Sequence, residues 1–226
     1  MTLALIAALP SEIKPLTRGW IPDGDLKVGR IGNFDAVALC PGIGAAAAIR
    51  ACEGALAYAS LDQRPLDALV SIGYAGSVSC GLQAGNAYAI REVIDAATGE
   101  HFATDNGEGQ RLITLNRVAG LDEKRKLAGQ YQAVIVDMEA AAVARFARAR
   151  NMRFFAFKAI TDGPNDILPD FNRFIGGDGR LHTMAMLAWA IVHPGAWRAL
   201  GRLGQNSRRA AEHLAALIPR CLGPGR

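Results

Sequence analysis

No apolar run in the chain approaches the ~20 residues a helix needs to cross a bilayer; the nearest, Met184 to Val192, is far too short. The opening stretch MTLALIAALPSEIKPL has no basic region ahead of its apolar residues, and Pro10-Ser11-Glu12 stands where a signal peptide would carry small residues. It reads as a first β-strand, and a cytoplasmic protein is expected. Cysteine is scarce and scattered. Cys40, Cys52, Cys80 and Cys221 form no C-x-x-C, and the first three sit among small apolar residues, as reduced core thiols would. His101, His182, His193 and His213 make no pair at metal-ligand spacing, so no metal site is expected. There is no Ser in G-x-S-x-G and no G-x-x-x-x-G-K-[ST], which argues against Ser-His-Asp hydrolysis and against an NTPase.

What is present is the composition of a globular chain. Its 226 residues, 50% hydrophobic and 20% charged, suffice for a sizeable core, and one domain is expected. The net charge of +4 is concentrated late in the sequence, where Arg173, Arg180, Arg198, Arg202, Arg208, Arg209, Arg220 and Arg226 face only Asp178 and Glu212. Such a cluster suits an anionic surface, or is simply a solvated helical face.

Apolar runs of strand length recur at Leu3 to Ala8, Asp35 to Cys40, Ala68 to Ile72, Ala87 to Ile94, Ala133 to Val136 and Phe154 to Ile160. Helical stretches lie between several of them: Ile43 to Leu61, ending in a polar turn at Asp62-Gln63-Arg64-Pro65, and Ala140 to Arg150. Strands alternating with helices predict an α/β protein with a mainly parallel sheet covered on both faces. In such sheets ligands bind where loops gather at the carboxyl ends of strands.

Five places therefore stand out. Pro10-Ser11-Glu12 follows the first strand. CPGIGAAAAIRACEGAL puts Gly42 and Gly44 before a helix, either as a bare turn or as an anion or hydroxyl site made of backbone N–H groups. SIGYAGSVSCGLQAG sets Gly73 and Gly76 about Tyr74 and Ala75, for packing or for close approach of a ligand. FKAITDGPND ends an apolar strand on Asp162, an ordinary turn former or a pocket carboxyl able to act as an acid. IVDMEAAAVARFARARN brings Asp137 and Glu139, with Met138 between them, to a strand-to-helix junction, where acidic groups complement the first helical turn or serve a ligand.

Taken in order, LALIAALPSEIKPL, GIGAAAAIRA, VSIGYAGSVSCGLQAGNAYAI and VDMEAAAVARFARARNMRFFAFKAITDGPND resemble the nucleoside phosphorylase superfamily, including its 5′-methylthioadenosine/S-adenosylhomocysteine nucleosidase branch. The likeness covers residues 1 to about 166, and its most specific part is D-M-E-x-x-A followed some 20 residues later by a strand ending in (S/T)-D. It implies a three-layer α/β/α sandwich with a mixed, partly barrel-like central sheet, and an enzyme that cleaves the N-glycosidic bond of a purine nucleoside. Breaking that bond leaves positive charge on the sugar and a base that departs poorly unless protonated.

By this resemblance Asp162 is the acid that protonates purine N7, and Glu12 activates the attacking water. Glu139 holds the ribose 2′- and 3′-hydroxyls and Met138 packs on the sugar. Ala75, Gly76 and Val118 line the base and ribose, and Gly42 and Gly44 meet the phosphate or water. Asp137 is expected to be structural. No cofactor is implied beyond inorganic phosphate as a co-substrate. A small-molecule nucleoside, not nucleic acid, is the expected partner, and a homo-oligomer, by the nucleosidase branch a dimer, the expected state.

The chain departs from the family at several points. Ser71-Ile72 stands where many phosphorylases carry an Arg for phosphate, leaving Lys14, Arg18 or Arg50 to supply charge. LITLNRVAG has Asn116 where Asp is common and no aromatic to stack on a purine. These gaps motivate an alternative, a nucleoside- or lipid-binding protein without turnover. From about residue 167 a helical extension with a Leu-Pro and a Pro-Gly resembles the hopanoid-associated phosphorylase subgroup, which implies adenosylhopane as substrate; the basic, Trp-containing tail is either a peripheral membrane contact for such a lipid or an elaborated dimer interface or packing layer.

Overall fold

The computed structural model describes the chain except residues 62–64, 168, 178, 180–181, 183–184, 187–188, 190–191 and 224–226. The predicted turn at Asp62-Gln63-Arg64, the Leu of the Leu-Pro, and Asp178, Arg180 and Arg226 of the basic tail lie outside the described residues.

The sheet is organised around β5 (Ala68–Ser77), which pairs in parallel with both β1 (Thr2–Ile6) and β10 (Arg153–Asp162). Strands β10, β6 (Ala87–Asp95), β8 (Gln110–Thr114), β9 (Ile135–Asp137) and β5 pair successively and close on themselves as a five-stranded barrel. From β5 the sheet continues outward through β1, β4 (Phe34–Leu39), β3 (Leu26–Ile31) and β2 (Ile21–Asp23), while β7 (His101–Ala103) pairs with β6. The expected mixed, partly barrel-like α/β fold is what forms. The mainly parallel sheet is not, because the pairs β2–β3, β3–β4, β5–β9, β6–β7 and β6–β10 are antiparallel.

Covered faces explain the apolar strands. Ala4, Ile6, Leu69, Ala156 and Ile160 pack under α2 (Ala45–Leu61) and α4 (Ala140–Ala149), whose alanines allow the two helices to approach closely. On the other face Leu3, Leu5, Val70, Phe155 and Phe157 meet Ala210, Leu214, Ile218 and Leu222 of α5 (Trp197–Leu222). The last turns of α5 are thus core, while its arginines at 198, 202, 208, 209 and 220 stay exposed. Two further helices are α1 (Pro10–Ile13) and α3 (Leu121–Tyr131).

Both long central strands outrun their apolar runs, and that extension builds the site. β5 continues past Ile72 to Ser77, and β10 past Ile160 to Asp162. Their pairing persists through Ala159↔Tyr74 and Ile160↔Ala75, then shifts by a bulge so that Asp162 lies opposite Gly76. Bulges of this kind re-aim a side chain at the end of a ladder.

Candidate active site

At the bulge, Asp162 is 7% exposed, and its Oδ1 accepts the Thr161 hydroxyl at 2.9 Å. Its Oδ2 is ion-paired with the ammonium of Lys124, which also donates to the Gly163 carbonyl at 2.8 Å. Lys124 is only 3% exposed and comes from the first turn of α3, a helix that the sequence reading did not predict. Gly76 makes room for the pair, since a Cβ there would stand 3.0 Å from Asp162 Oδ2 and 3.3 Å from Lys124 Cε.

The strand-to-helix junction divides its two carboxylates between two tasks. Asp137 Oδ2 accepts the Ala140 amide at 2.9 Å at the start of α4, and Oδ1 accepts the Thr114 hydroxyl at 2.7 Å. It is also paired at 2.9 Å with Lys158, whose side chain is 1% exposed. Burial alone would push the Lys158 ammonium toward neutrality, yet Asp137, Glu139 and Glu12 together hold it above its ordinary value. Glu139 occupies the N-cap position of α4 without capping the helix by its side chain. Its Oε1 instead accepts the Gly44 amide at 2.7 Å. Burial, then the neighbouring Asp137, pushes its carboxyl up to about 7.

Glu12 is the third acid. It is 3% exposed; Oε2 takes the amides of Ala8 and Leu9 at 2.8 and 2.9 Å, and Oε1 that of Tyr74 at 2.9 Å. Desolvation raises its pKa, opposed by these amides and by Lys158. Gly73, at φ +151°, lets the strand pass over it, for a Cβ there would lie 3.0 Å from both carboxylate oxygens. Tyr74 is held by a side-chain hydrogen bond to Ser11, and burial raises its phenol.

These groups face one cavity of about 470 Å³, within the size range of small-molecule sites. Of the predicted residues, Glu12, Ala75, Gly76, Val118, Met138, Glu139 and Asp162 all line it. Gly42 and Gly44 do not. The amide of Gly44 is taken by Glu139 and that of Ile43 by the Gly179 carbonyl at 2.7 Å, so these two amides of the turn before α2 meet this chain's own oxygens. Lys14, Arg18 and Arg50 are likewise not among the lining residues.

The sequence reading missed several groups that do line the cavity. Phe171 arrives from a 3-10 turn (Phe171–Phe174) and supplies an aromatic ring that LITLNRVAG lacks; the adjacent Asn172 fixes the Val118 backbone through bonds of 2.9 and 3.3 Å. Leu200, Leu203, Gly204 and Ser207 bring the first turns of α5 to the wall, and Asn206 ties that helix to the Thr161 carbonyl at 2.9 Å. Lys124 carried a legible signal. It is spaced three residues from both Leu121 and Leu127, on the stripe that turns inward, while Arg125 and Lys126 stay exposed.

The fold and these strand-end carboxylates define a nucleoside phosphorylase-like architecture, and the comparisons agree with it. A family model described as the phosphorylase superfamily matches residues 108–176, the segment that carries Val118, Lys124, Met138, Glu139 and Asp162. No curated protein matches the chain by sequence. Among solved structures, the chain is similar to the 5′-methylthioadenosine/S-adenosylhomocysteine nucleosidase of Neisseria meningitidis in complex with methylthio-immucillin-A, at TM-score 0.70 and 17% identity over 98% of each chain. A mutant of the Helicobacter pylori nucleosidase with 5′-methylthioadenosine in its active site gives TM-score 0.69 at 13% identity, covering 97% of this chain and 98% of that one. Futalosine hydrolase of the same organism gives 0.68 at 13% identity with the same coverage. The family model thus matches residues 108–176, while the likeness of fold to these solved structures extends over nearly the whole chain.

Proposed function

We propose that this protein hydrolyses the N-glycosidic bond of an adenine nucleoside carrying an apolar 5′ substituent. The observation that carries the reading is the convergence of Glu12, Glu139 and Asp162, from three separate strand ends, on one cavity. As the bond to C1′ breaks, positive charge grows on the sugar and electrons pass to the base. Glu139 accepts the ribose 2′- and 3′-hydroxyls and sets its charge where the sugar becomes cationic. Met138 packs on the ribose, Ala75 and Gly76 run along base and sugar, and Val118 and Phe171 hold the base with N7 toward Asp162. Glu12, fixed by three amides, takes the proton of the attacking water.

Water is favoured over phosphate by the state of the cations. Arg117 and Lys124 line the cavity, but Arg117 is paired with Glu123 at 2.8 Å and Lys124 with Asp162. Adenine is favoured by the neighbours named above, whose bound ligands or names include adenosine derivatives. Ile43, Met186, Leu200 and Leu203 give the cavity an apolar wall suited to a thioether or a lipid at the 5′ carbon, adenosylhopane included. The same α5 exposes Trp197, Arg198 and Arg202, a combination able to rest on an anionic membrane that holds such a lipid. Phe171 at the cavity wall speaks against one of the grounds for a binding protein without turnover, the missing aromatic ring.

The test is adenine release from 5′-substituted adenosines, followed by chromatography with and without phosphate. Release at equal rates in both is expected. No release in either would refute cleavage, and a strict phosphate requirement would refute the hydrolytic step alone. Flotation with anionic liposomes should carry the wild type and leave W197A/R198E/R202E behind; equal flotation would sink the membrane contact.

A further inference from the structure

Lys124 enters the site at a cost that needs a compensating role. A cation in the first turn of a helix meets the positive end of the helix dipole, and burial strips it of water. Its only hydrogen-bond acceptors among the described residues are Asp162 and the Gly163 carbonyl. Glu123, its neighbour on α3, is turned to Arg117, and Asp166 accepts the Gly163 amide at 2.7 Å. Lys124 also lines the cavity itself.

This arrangement bears on the acid step. A carboxylate in an ion pair has no proton to give, so Asp162 as it stands cannot protonate a departing base unaided. Resting on the cleavage reading above, we propose that Lys124 is the source of that proton and that Asp162 relays it. As the bond between the base nitrogen and C1′ breaks, its electron pair passes to the base. N7 takes a proton from the Asp162 carboxyl, which takes one from the Lys124 ammonium, leaving a neutral amine and a carboxylate. Water adds its oxygen to C1′ and gives a proton to Glu12. Solvent then reprotonates Lys124 and deprotonates Glu12, and the net reaction is nucleoside plus water to adenine plus free sugar. Lys124 acts through Asp162 and is a positioning and proton-supplying residue, whereas Asp162 touches the substrate.

The chemistry separates this role from a structural one. Arginine preserves charge and hydrogen bonds but does not give up its proton. A 4-nitrophenyl riboside with the same 5′ group releases a leaving group that needs no proton. The experiment measures kcat and KM of wild type, K124R and K124M on the adenine nucleoside and on the aryl riboside, with thermal melting of each protein to confirm folding. Both variants should lose kcat on the adenine nucleoside by about 10²- to 10⁴-fold, the usual share of general acid catalysis, and lose far less on the aryl riboside. Near-normal adenine release by K124R, or equal losses on both substrates in folded variants, would overturn the inference. Absence of adenine release by the wild type would instead refute the cleavage reading itself.

Discussion

Glu139 Oε1 lies 2.7 Å from the amide nitrogen of Gly44, joining the start of α4 to the turn before α2 across 95 residues of sequence. The bond fixes the carboxylate at the cavity wall and gives one of its oxygens a partner that does not titrate. It also accounts for the glycine directly before α2. Gly44, at φ +93°, adopts a backbone conformation that side chains resist, and its amide is turned to a carboxylate instead of an incoming anion.

Because Glu139 is pushed up to about 7, the free enzyme should show an acid limb near that pH. Only the carboxylate accepts both ribose hydroxyls, so kcat/KM should rise with pH through about 7, and E139Q should lose both the limb and most of the activity. Stability should move oppositely. An acid harder to ionise in the fold stabilises it fully below the ordinary glutamate range, and that contribution is lost as pH rises through about 7. Melting temperature of the ligand-free protein should therefore fall across this window, less steeply in E139Q; a limb retained in E139Q would refute the assignment.

Asp162→Asn should reduce turnover by about 10²- to 10⁴-fold while leaving affinity for adenine comparatively intact. Asparagine can keep hydrogen bonds to Thr161 and Lys124 but cannot relay a proton. Steady-state kinetics alongside calorimetric binding of adenine measures the split. Turnover close to wild type would remove Asp162 from the acid role.

Phe171→Ala should weaken substrate binding by about 5- to 150-fold, since stacking of a base on an aromatic ring is worth about 1–3 kcal/mol. The ring is half-buried at the cavity and lies outside the three large core clusters, so melting should change little. The increase should appear mainly in KM. An unchanged KM would place the base elsewhere in the cavity.

Gly76→Ala puts a methyl group 3.0 Å from Asp162 Oδ2, 3.2 Å from Val136 Cγ1 and 3.3 Å from Lys124 Cε. The backbone conformation itself is permissive, as Gly76 has no positive φ. The expected result is a folded protein with kcat reduced at least 10-fold by displacement of the Asp162–Lys124 pair, an effect of the size that small misplacements produce. Wild-type kcat would show that the pair has room to shift.

The sequence was most legible where hydrophobicity has a simple cause. β1, β5 and β10 are apolar because both faces are covered, and α2 and α4 are alanine-rich because they pack together. It was least legible where strands lie at margins. β2 has all three residues exposed, and β3 is half-exposed along most of its length, so neither presents an apolar run. In α3, the charged run Asp122, Glu123, Arg125 and Lys126 obscures the helix, and the only mark of a buried Lys124 is its three-residue spacing from Leu121 and Leu127.

By itself the sequence determined the class of fold and the identity of the carboxylates, because strand ends, glycine turns and the D-M-E junction are local features of the chain. The family resemblance carried by that junction leads to the expectation of a structural Asp137 and a ribose-binding Glu139, and both side chains line the cavity. Tertiary structure alone decided which groups those carboxylates face. Gly44 reaches Glu139, Lys158 reaches Asp137, and Lys124 reaches Asp162 across 21 to 95 residues. Such pairings follow from barrel closure, the bulge in β10 and the packing of α2 against α4, which bring distant segments to one cavity, and no local pattern in the chain encodes that approach.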